Sequence, residues 1–395
     1  MTAAAPLLER TADGVLLLPA LSTAHSHAFQ RAMRGRAQRP ADGADDFWSW
    51  RGQMYALATS LTPESIHAIS AVAFAELARA GVRTVGEFHY VHHQADGTPY
   101  ADRTLLADLV IDAAKRAGLR VALLRVAYHR AGPGRDAEPM QRRFCDPAVD
   151  DVLRDLDALS ARWRGDPDVV IGVAPHSVRA VPPAWLAPLH DWATRHGAPF
   201  HMHVAEQPRE VDECLAETGR RPVELLADHG VLSERFVAVH ATHVAPHEAA
   251  LLGAARAFAC ICPTTERDLG DGLPDFGALR AAGARLCTGV DSHVLVDPIE
   301  DLRALETLER LRTRTRVTFR PQAGQTGHGG GATPAEALWI SGSIVGAAAC
   351  GFGDAGGHVE VRGDHPALAL VDDDCLLDAI VFGAGSALVA AVRRT

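Results

Sequence analysis

Lys115 is the only lysine in this 395-residue chain, so its 39 basic residues are arginines in all but one case. A positive excess is also lacking. The formal net charge is -10, which argues against nucleic acid as a partner. No apolar run reaches about 18 residues, so no membrane span is expected, and the start does not read as a secretory signal. The seven cysteines (145, 214, 260, 262, 287, 350, 375) include no second pair that would make Cys260-Ile-Cys262 a zinc ribbon. Structural thiols kept reduced in the cytoplasm are the expectation. No Gly-x-Gly-x-x-Gly turn follows the first apolar run, which counts against an open dinucleotide-binding sheet.

What is present is a repeating unit. With 47% hydrophobic residues the chain has ample core. From residue 18 to about 300 a short apolar run alternates with an amphipathic helical stretch. The expected strands are 18–24, 82–89, 120–129, 169–176, 199–204, 236–243, 257–263 and 285–291. Helical stretches between them include 64–80, 103–117, 148–163, 183–196, 222–229, 247–255 and 299–313. Eight such units predict an α/β fold, a (β/α)8 TIM-type barrel over 18–320. A Gly-rich loop and a helix (321–354) would join it to a small, possibly truncated β domain formed by 1–17 and 355–395.

Polar residues gather at the C-terminal ends of these strands. His25 and His27 follow the first; Glu87, His89 and Tyr90 the second; Tyr128 and His129 the third. His176 and Arg179 follow the fourth, His203 and Glu206 the fifth, His240 and His243 the sixth, and Asp291 and His293 the eighth. In a barrel of this kind the loops at that face build the active site. His25 and His27 lie two apart, so on a strand they project to the same side and can grip one divalent ion through neutral imidazoles. His203 and Asp291 can complete the ligands, with Glu206 close enough to move protons. The bland alternative for each is a polar residue at a loop start, but histidine at nearly every strand exit is hard to explain that way.

The same residues carry a resemblance. His-x-His on the first strand, His203-Val-Ala-Glu206 on the fifth, His240 on the sixth and Asp291-Ser on the eighth resemble the amidohydrolase superfamily in its mononuclear, deaminase-type branch. Longer strings narrow it: residues 23–35 and 47–55, Gly86-Glu87-Phe88-His89-Tyr90-Val91-His92-His93, residues 174–181, His201-Met-His203-Val-Ala-Glu206-Gln207 and residues 239–244. These look like members that deiminate N-formimino-L-glutamate in histidine degradation, releasing ammonia and N-formyl-L-glutamate.

The resemblance implies one divalent metal ion, zinc foremost, on His25, His27, His203 and Asp291, and proton handling by Glu206, His240 and Asp291. In that scheme the attacking water gives a proton to His240 or Asp291, and Glu206 protonates the leaving nitrogen. It further implies Gln30, Arg51, Tyr90, His176 and Arg179 as substrate contacts, and a homodimer. Chemistry agrees independently, since two guanidinium forks suit the two carboxylates of a small dicarboxylate amidine. Binuclear relatives use a carboxylated lysine on the fourth strand, and 169–176 contains none. The alternative is a deaminase of the same branch acting on a nucleobase or another amidine; a metal-binding barrel without turnover is a more remote one.

Two departures from the family pattern stand out. Only 17 residues precede Leu18, which leaves the small β domain reduced or the chain starting late. Arg267-Asp268 stands in the strand-seven loop where smaller or amide side chains are expected, so substrate fit there is expected to differ.

Overall fold

In the computed structural model, which describes residues 7–39, 46–320 and 333–394, the chain opens with β1 (Glu9–Arg10) and β2 (Leu16–Pro19). The barrel follows: β3 (Leu21–Ser26), β4 (Val82–His89) and β5 (Arg120–Ala127), a small hairpin β6 (Arg130–Gly132) and β7 (Arg135–Asp136), then β8 (Val169–Pro175), β9 (Phe200–Val204), β10 (Phe236–His240), β11 (Phe258–Ile261) and β12 (Arg285–Thr288). Leaving the hairpin aside, these eight strands form one parallel sheet in chain order. The strands β13 (Gly357–Val361) and β14 (Val389–Arg394) join β1 and β2 in a separate antiparallel sheet, order β1-β2-β13-β14.

The helices are α1 (Phe47–Ser60), α2 (Pro63–Arg79), α3 (Leu105–Arg116), α4 (Val149–Arg162), α5 (Leu186–His196), α6 (Pro208–Thr218), α7 (Pro222–Asp228), α8 (Pro246–Ala254), α9 (Pro263–Leu269), α10 (Phe276–Ala282), α11 (Pro298–Thr313) and, beyond the barrel, α12 (Pro334–Ile340). Local chemistry sets several of their ends. Thr62 and Ser65 form a reciprocal capping box before Pro63, where a missing N–H costs nothing. Gly197, Gly219, Gly270 and Gly283 end their helices in the left-handed conformation. Every residue of β4 and β5 is buried, as parallel strands covered on both faces must be.

The two outer strands of the sheet meet at one end. The His27 N–H donates to the Asp291 carbonyl at 2.9 Å, and the Asp291 N–H donates to the His25 carbonyl at 3.0 Å. The Thr23 hydroxyl accepts from the Val290 N–H at 2.8 Å. The seam of the barrel therefore runs through His25, His27 and Asp291. Gly289 is required behind it, because a Cβ there would lie 2.7 Å from the His25 Cβ.

Three differences from the sequence reading have physical causes. The expected first strand, 18–24, divides. Leu16–Pro19 pairs with β13 in the small sheet, and the barrel strand starts only at Leu21. Pro19 has no N–H to carry a ladder onward, and the chain changes sheets there. The tail forms two strands separated by short helical turns rather than a run of strands. Helix α1 was not foreseen. Its segment is aromatic-rich and contains Gly52, and the sign of its start is an Asp46–Ser49 capping box. The Gly-rich linker, 322–332, lies outside the described residues.

Beneath the β4 and β5 exits, away from the barrel mouth, lies a buried ion cluster. Arg125 Nη2 donates to Asp146 Oδ1 and to Asp155 Oδ2, both at 2.7 Å, and Arg103 Nε donates to Asp155 at 2.6 Å. Burial opposes the charge on Asp146, but Arg125 and His93 outweigh it and hold the carboxyl below its usual range. Arg125→Met would keep the volume and strand Asp146 without its guanidinium. A loss of about 3–5 kcal/mol is expected, read as a clearly lower thermal midpoint; an unchanged midpoint would show the cluster to be dispensable.

Candidate active site

The ligand and proton-handling side chains leave the C-terminal ends of barrel strands, so the eight-stranded register decides who meets whom. His25, near the end of β3, and His27, just past it, bring their Nε2 atoms to 3.1 Å, and His203 Nε2 from β9 lies 3.1 Å from that of His25. Asp291, just past β12, sets Oδ1 3.5 Å from His25 Nε2 and 3.3 Å from His27 Nε2. All four are buried. His27 Nδ1 donates to the Phe88 carbonyl at 3.0 Å, which puts its proton there and leaves the Nε2 lone pair facing inward.

Burial disfavours the imidazolium form and lowers His25 to about 3, although Asp291 works the other way; His27 and His203 are lowered for the same first reason. Burial likewise opposes the charge on Asp291, but His25, His27 and His240 outweigh it and hold the carboxylate well below its usual range. Three neutral nitrogens and one carboxylate thus converge with the Nδ1 atoms of His25 and His203 unpartnered. Lone pairs facing one another in a dry pocket repel, and a divalent cation relieves that. The donor set fits such an ion.

His240, at the end of β10, stands beside this group. Its Nε2 is 3.7 Å from Glu206 and 3.8 Å from Asp291, and its Nδ1 is 3.2 Å from Glu266 Oε1. Burial alone would lower His240, but Glu206, Glu266 and Asp291 together raise it to about 10. Burial raises Glu206 above its usual value despite His240. The backbone is strained here. Of the eight non-glycine residues with positive φ among the described residues, Ala205, His240, Ala241, Asp291 and His293 sit at the exits of β9, β10 and β12. Such conformations cost of order 1–3 kcal/mol each and persist where the surroundings over-determine them.

These groups floor a cavity. Gln30, Arg51, Tyr90, His176 and Arg179 line its walls, with Trp50, Met54 and Tyr55 from α1. Gln30 Nε2 donates to the Tyr90 hydroxyl at 2.8 Å, and its Oε1 is unpartnered. Arg51 lies over the Trp48 ring at 4.4 Å with Nη1 unpartnered, and burial draws it below its ordinary pKa. Arg179 donates from Nη1 to Tyr128 and to the Ala131 carbonyl.

Residues 16–392 match the sequence pattern of the amidohydrolase family. The protein is an amidohydrolase. As such it is a metal-dependent hydrolase acting on C–N bonds. This amidohydrolase is 39% identical to a formimidoylglutamate deiminase of Pseudomonas aeruginosa over 381 residues, 94% of the chain and 82% of the relative. It is 31% identical to an 8-oxoguanine deaminase of the same organism, over 75% of the chain and 65% of that relative. Among solved structures, an amidohydrolase from Brucella melitensis superposes with a TM-score of 0.87 at 36% identity, covering 96% of this chain and 83% of that one. A zinc-containing adenosine deaminase from Xanthomonas campestris, at 22% identity and a TM-score of 0.77 over 96% and 79% of the two chains, shares the fold.

Not every strand-exit residue of the amidohydrolase faces the cavity. Glu87 lies behind the first strand, accepting from the Ser26 hydroxyl at 2.6 Å and the Ala28 N–H at 2.8 Å, and burial raises it to about 8. His293 backs Ser26 at 2.8 Å, while His89 and His129 pack outside the cavity wall. Tyr55 and Glu266 were missed. Glu266 sits on α9, in the Thr264-Thr265-Glu266 string read as a loop, and also accepts the Cys262 N–H at 2.8 Å. Arg267 and Asp268 turn outward, to Glu300 and Gln38. Changing partners around a ligand typically costs 10–100-fold in metal affinity, and removing a ligand costs no less. His203→Ala should therefore retain at least about tenfold less zinc after dialysis, measured by atomic absorption. Equal retention would remove His203 from the ligand set.

Proposed function

We propose that this amidohydrolase deiminates N-formimino-L-glutamate, giving N-formyl-L-glutamate and ammonia in histidine degradation, with one divalent ion, zinc, on His25, His27, His203 and Asp291. The observation that carries this reading is the pair of guanidiniums, half-buried Arg51 and buried Arg179, in the same cavity as His27, His203, Glu206, His240 and Asp291. Two fixed cations suit two carboxylates bidentately. A nucleobase offers neither. The 39% identity to a formimidoylglutamate deiminase supports the same substrate.

A single ion is supported by the place of Lys115. It lies on α3 and pairs with Asp166, and β8 has no lysine to bridge a second metal. The enzyme is proposed to act in the cytoplasm as a homodimer on a small molecule, with neither nucleic acid nor membrane as a partner. No helix among the described residues is long and apolar enough to cross a membrane.

In the reaction, water adds to the formimidoyl carbon, the bond from that carbon to the terminal nitrogen breaks, and ammonia leaves. A divalent ion on the four ligands supplies Lewis-acid polarisation and lowers the pKa of the attacking water. Asp291, which stays ionised, or His240, once its own proton has passed to Glu206 3.7 Å away, takes the proton from the water. Glu206, 3.7 Å from His240, hands a proton to the leaving nitrogen. Gln30 and Tyr90 form one wall, with the Gln30 Oε1 free to accept from the formimidoyl N–H. Arg51 and Arg179 hold the carboxylates and so orient the reacting carbon.

Zinc-loaded enzyme should release ammonia from N-formimino-L-glutamate and not from nucleobases. Glu206→Gln should keep its metal and lose about 10²–10⁴ in kcat, the usual contribution of a positioned proton donor. Turnover of a nucleobase with none of the formimino compound would overturn the substrate, and near-normal turnover in Glu206→Gln would overturn the role of Glu206.

A further inference from the structure

Behind Arg179 three side chains form a hydrogen-bonded chain whose direction can be worked out donor by donor. Gln141 Oε1 accepts the Glu138 N–H at 2.8 Å, which fixes the orientation of the amide. Its NH2 group must then donate twice, to the Tyr128 hydroxyl at 2.9 Å and to the Tyr55 hydroxyl at 3.0 Å. The Tyr128 hydroxyl also accepts from Arg179 Nη1 at 3.3 Å. With both lone pairs filled, Tyr128 has its one proton left to give, and the neighbour in reach is the Tyr55 hydroxyl at 3.1 Å. Burial raises Tyr128 above the ordinary tyrosine pKa, so it remains a donor at neutral pH.

The Tyr55 hydroxyl thus accepts from both Gln141 and Tyr128, and among the described residues no protein group accepts its own proton. Tyr128 does not line the cavity; Tyr55 does. A purely structural ring at this place would be served by phenylalanine. Instead the network ends in one donor at the cavity wall, and that donor and Arg179 Nη1 both lie within hydrogen-bond reach of the same Tyr128 oxygen.

We propose that Tyr55 is a further specificity-determining residue, whose hydroxyl donates to the substrate carboxylate held by Arg179. The proposal rests on a dicarboxylate substrate and adds a third anion contact to the two arginines, placed by Gln141 and Tyr128 rather than by charge.

The test is Tyr55→Phe in the full-length, zinc-loaded enzyme. The ring that lies beside Arg51 and Phe144 is kept, and an unchanged thermal midpoint confirms folding. Steady-state kinetics are run on N-formimino-L-glutamate and on two analogues that each lack one carboxylate, 4-(formimidoylamino)butanoate and 2-(formimidoylamino)butanoate. A hydrogen bond to a charged group should appear as a rise in KM of about tenfold or more for the parent compound, with kcat within about threefold. The analogue lacking the Arg179-bound carboxylate should be indifferent to the substitution, while the other should show the same loss as the parent. An unchanged KM, or an equal loss on both analogues, would overturn the assignment. If wild-type enzyme turns over none of the three compounds, it is the proposed function that fails. Glutarate binding by calorimetry then decides Tyr55 alone: a tenfold weaker affinity in the variant upholds it, and equal affinity, or no binding to wild type, overturns it.

Discussion

Three imidazole nitrogens aimed at one point cannot all be satisfied by one another, and much of this structure follows from that crowding. His25, His27 and His203 bring their Nε2 atoms together with 3.1 Å separations in a buried pocket. The Phe88 carbonyl fixes the tautomer of His27, and Gly289 yields the space behind His25. The same residues form the closing seam of the barrel, because the backbones of His25 and His27 hydrogen-bond to that of Asp291. First and last strands are therefore locked in register by residues proposed to hold the metal ion. A one-residue slip between them would turn the ligands away from one another and open the sheet at once.

Around this centre the charges are graded. His240 sits among Glu206, Glu266 and Asp291, 3.2 Å from Glu266 and 3.7 and 3.8 Å from the other two. Arg51 and Arg179 supply the positive charge of the same cavity. A substrate with anionic ends and a cationic amidine is drawn into one orientation by such a gradient. The positive φ values at Ala205, His240, Ala241, Asp291 and His293 show that the backbone is bent out of its comfortable range to hold these side chains.

Much of this was legible in the sequence because it rests on short-range periodicity. The alternation of apolar runs with helical stretches gave the barrel, and two-residue spacing gave the paired histidines at the exit of β3. The expected site residues Gln30, Arg51, Tyr90, His176, Arg179, His203, Glu206, His240 and Asp291 line one cavity with His27, and His25 lies against them. What was not legible depends on contacts across the fold. Tyr55 sits on a helix whose aromatic composition hides its period. Glu266 looked like one more loop carboxylate, and only the packing of α9 against the β10 exit brings it to His240. His89 and His293 also leave strands near the mouth, yet they pack against His92 and Ser26 rather than lining the cavity.

The near-absence of lysine has a consequence for selectivity. An ammonium held in a dry cavity is easily persuaded to give up its proton, and a pocket built on one would lose its grip on anions as conditions turned alkaline. Arg51 and Arg179 keep theirs, since a guanidinium is not deprotonated in proteins even where burial lowers it, as at Arg51. With these two as the proposed carboxylate clamps, recognition of a diacid is insulated from the titrations that govern the chemical step. The enzyme can change its rate with acidity without changing its choice of molecule.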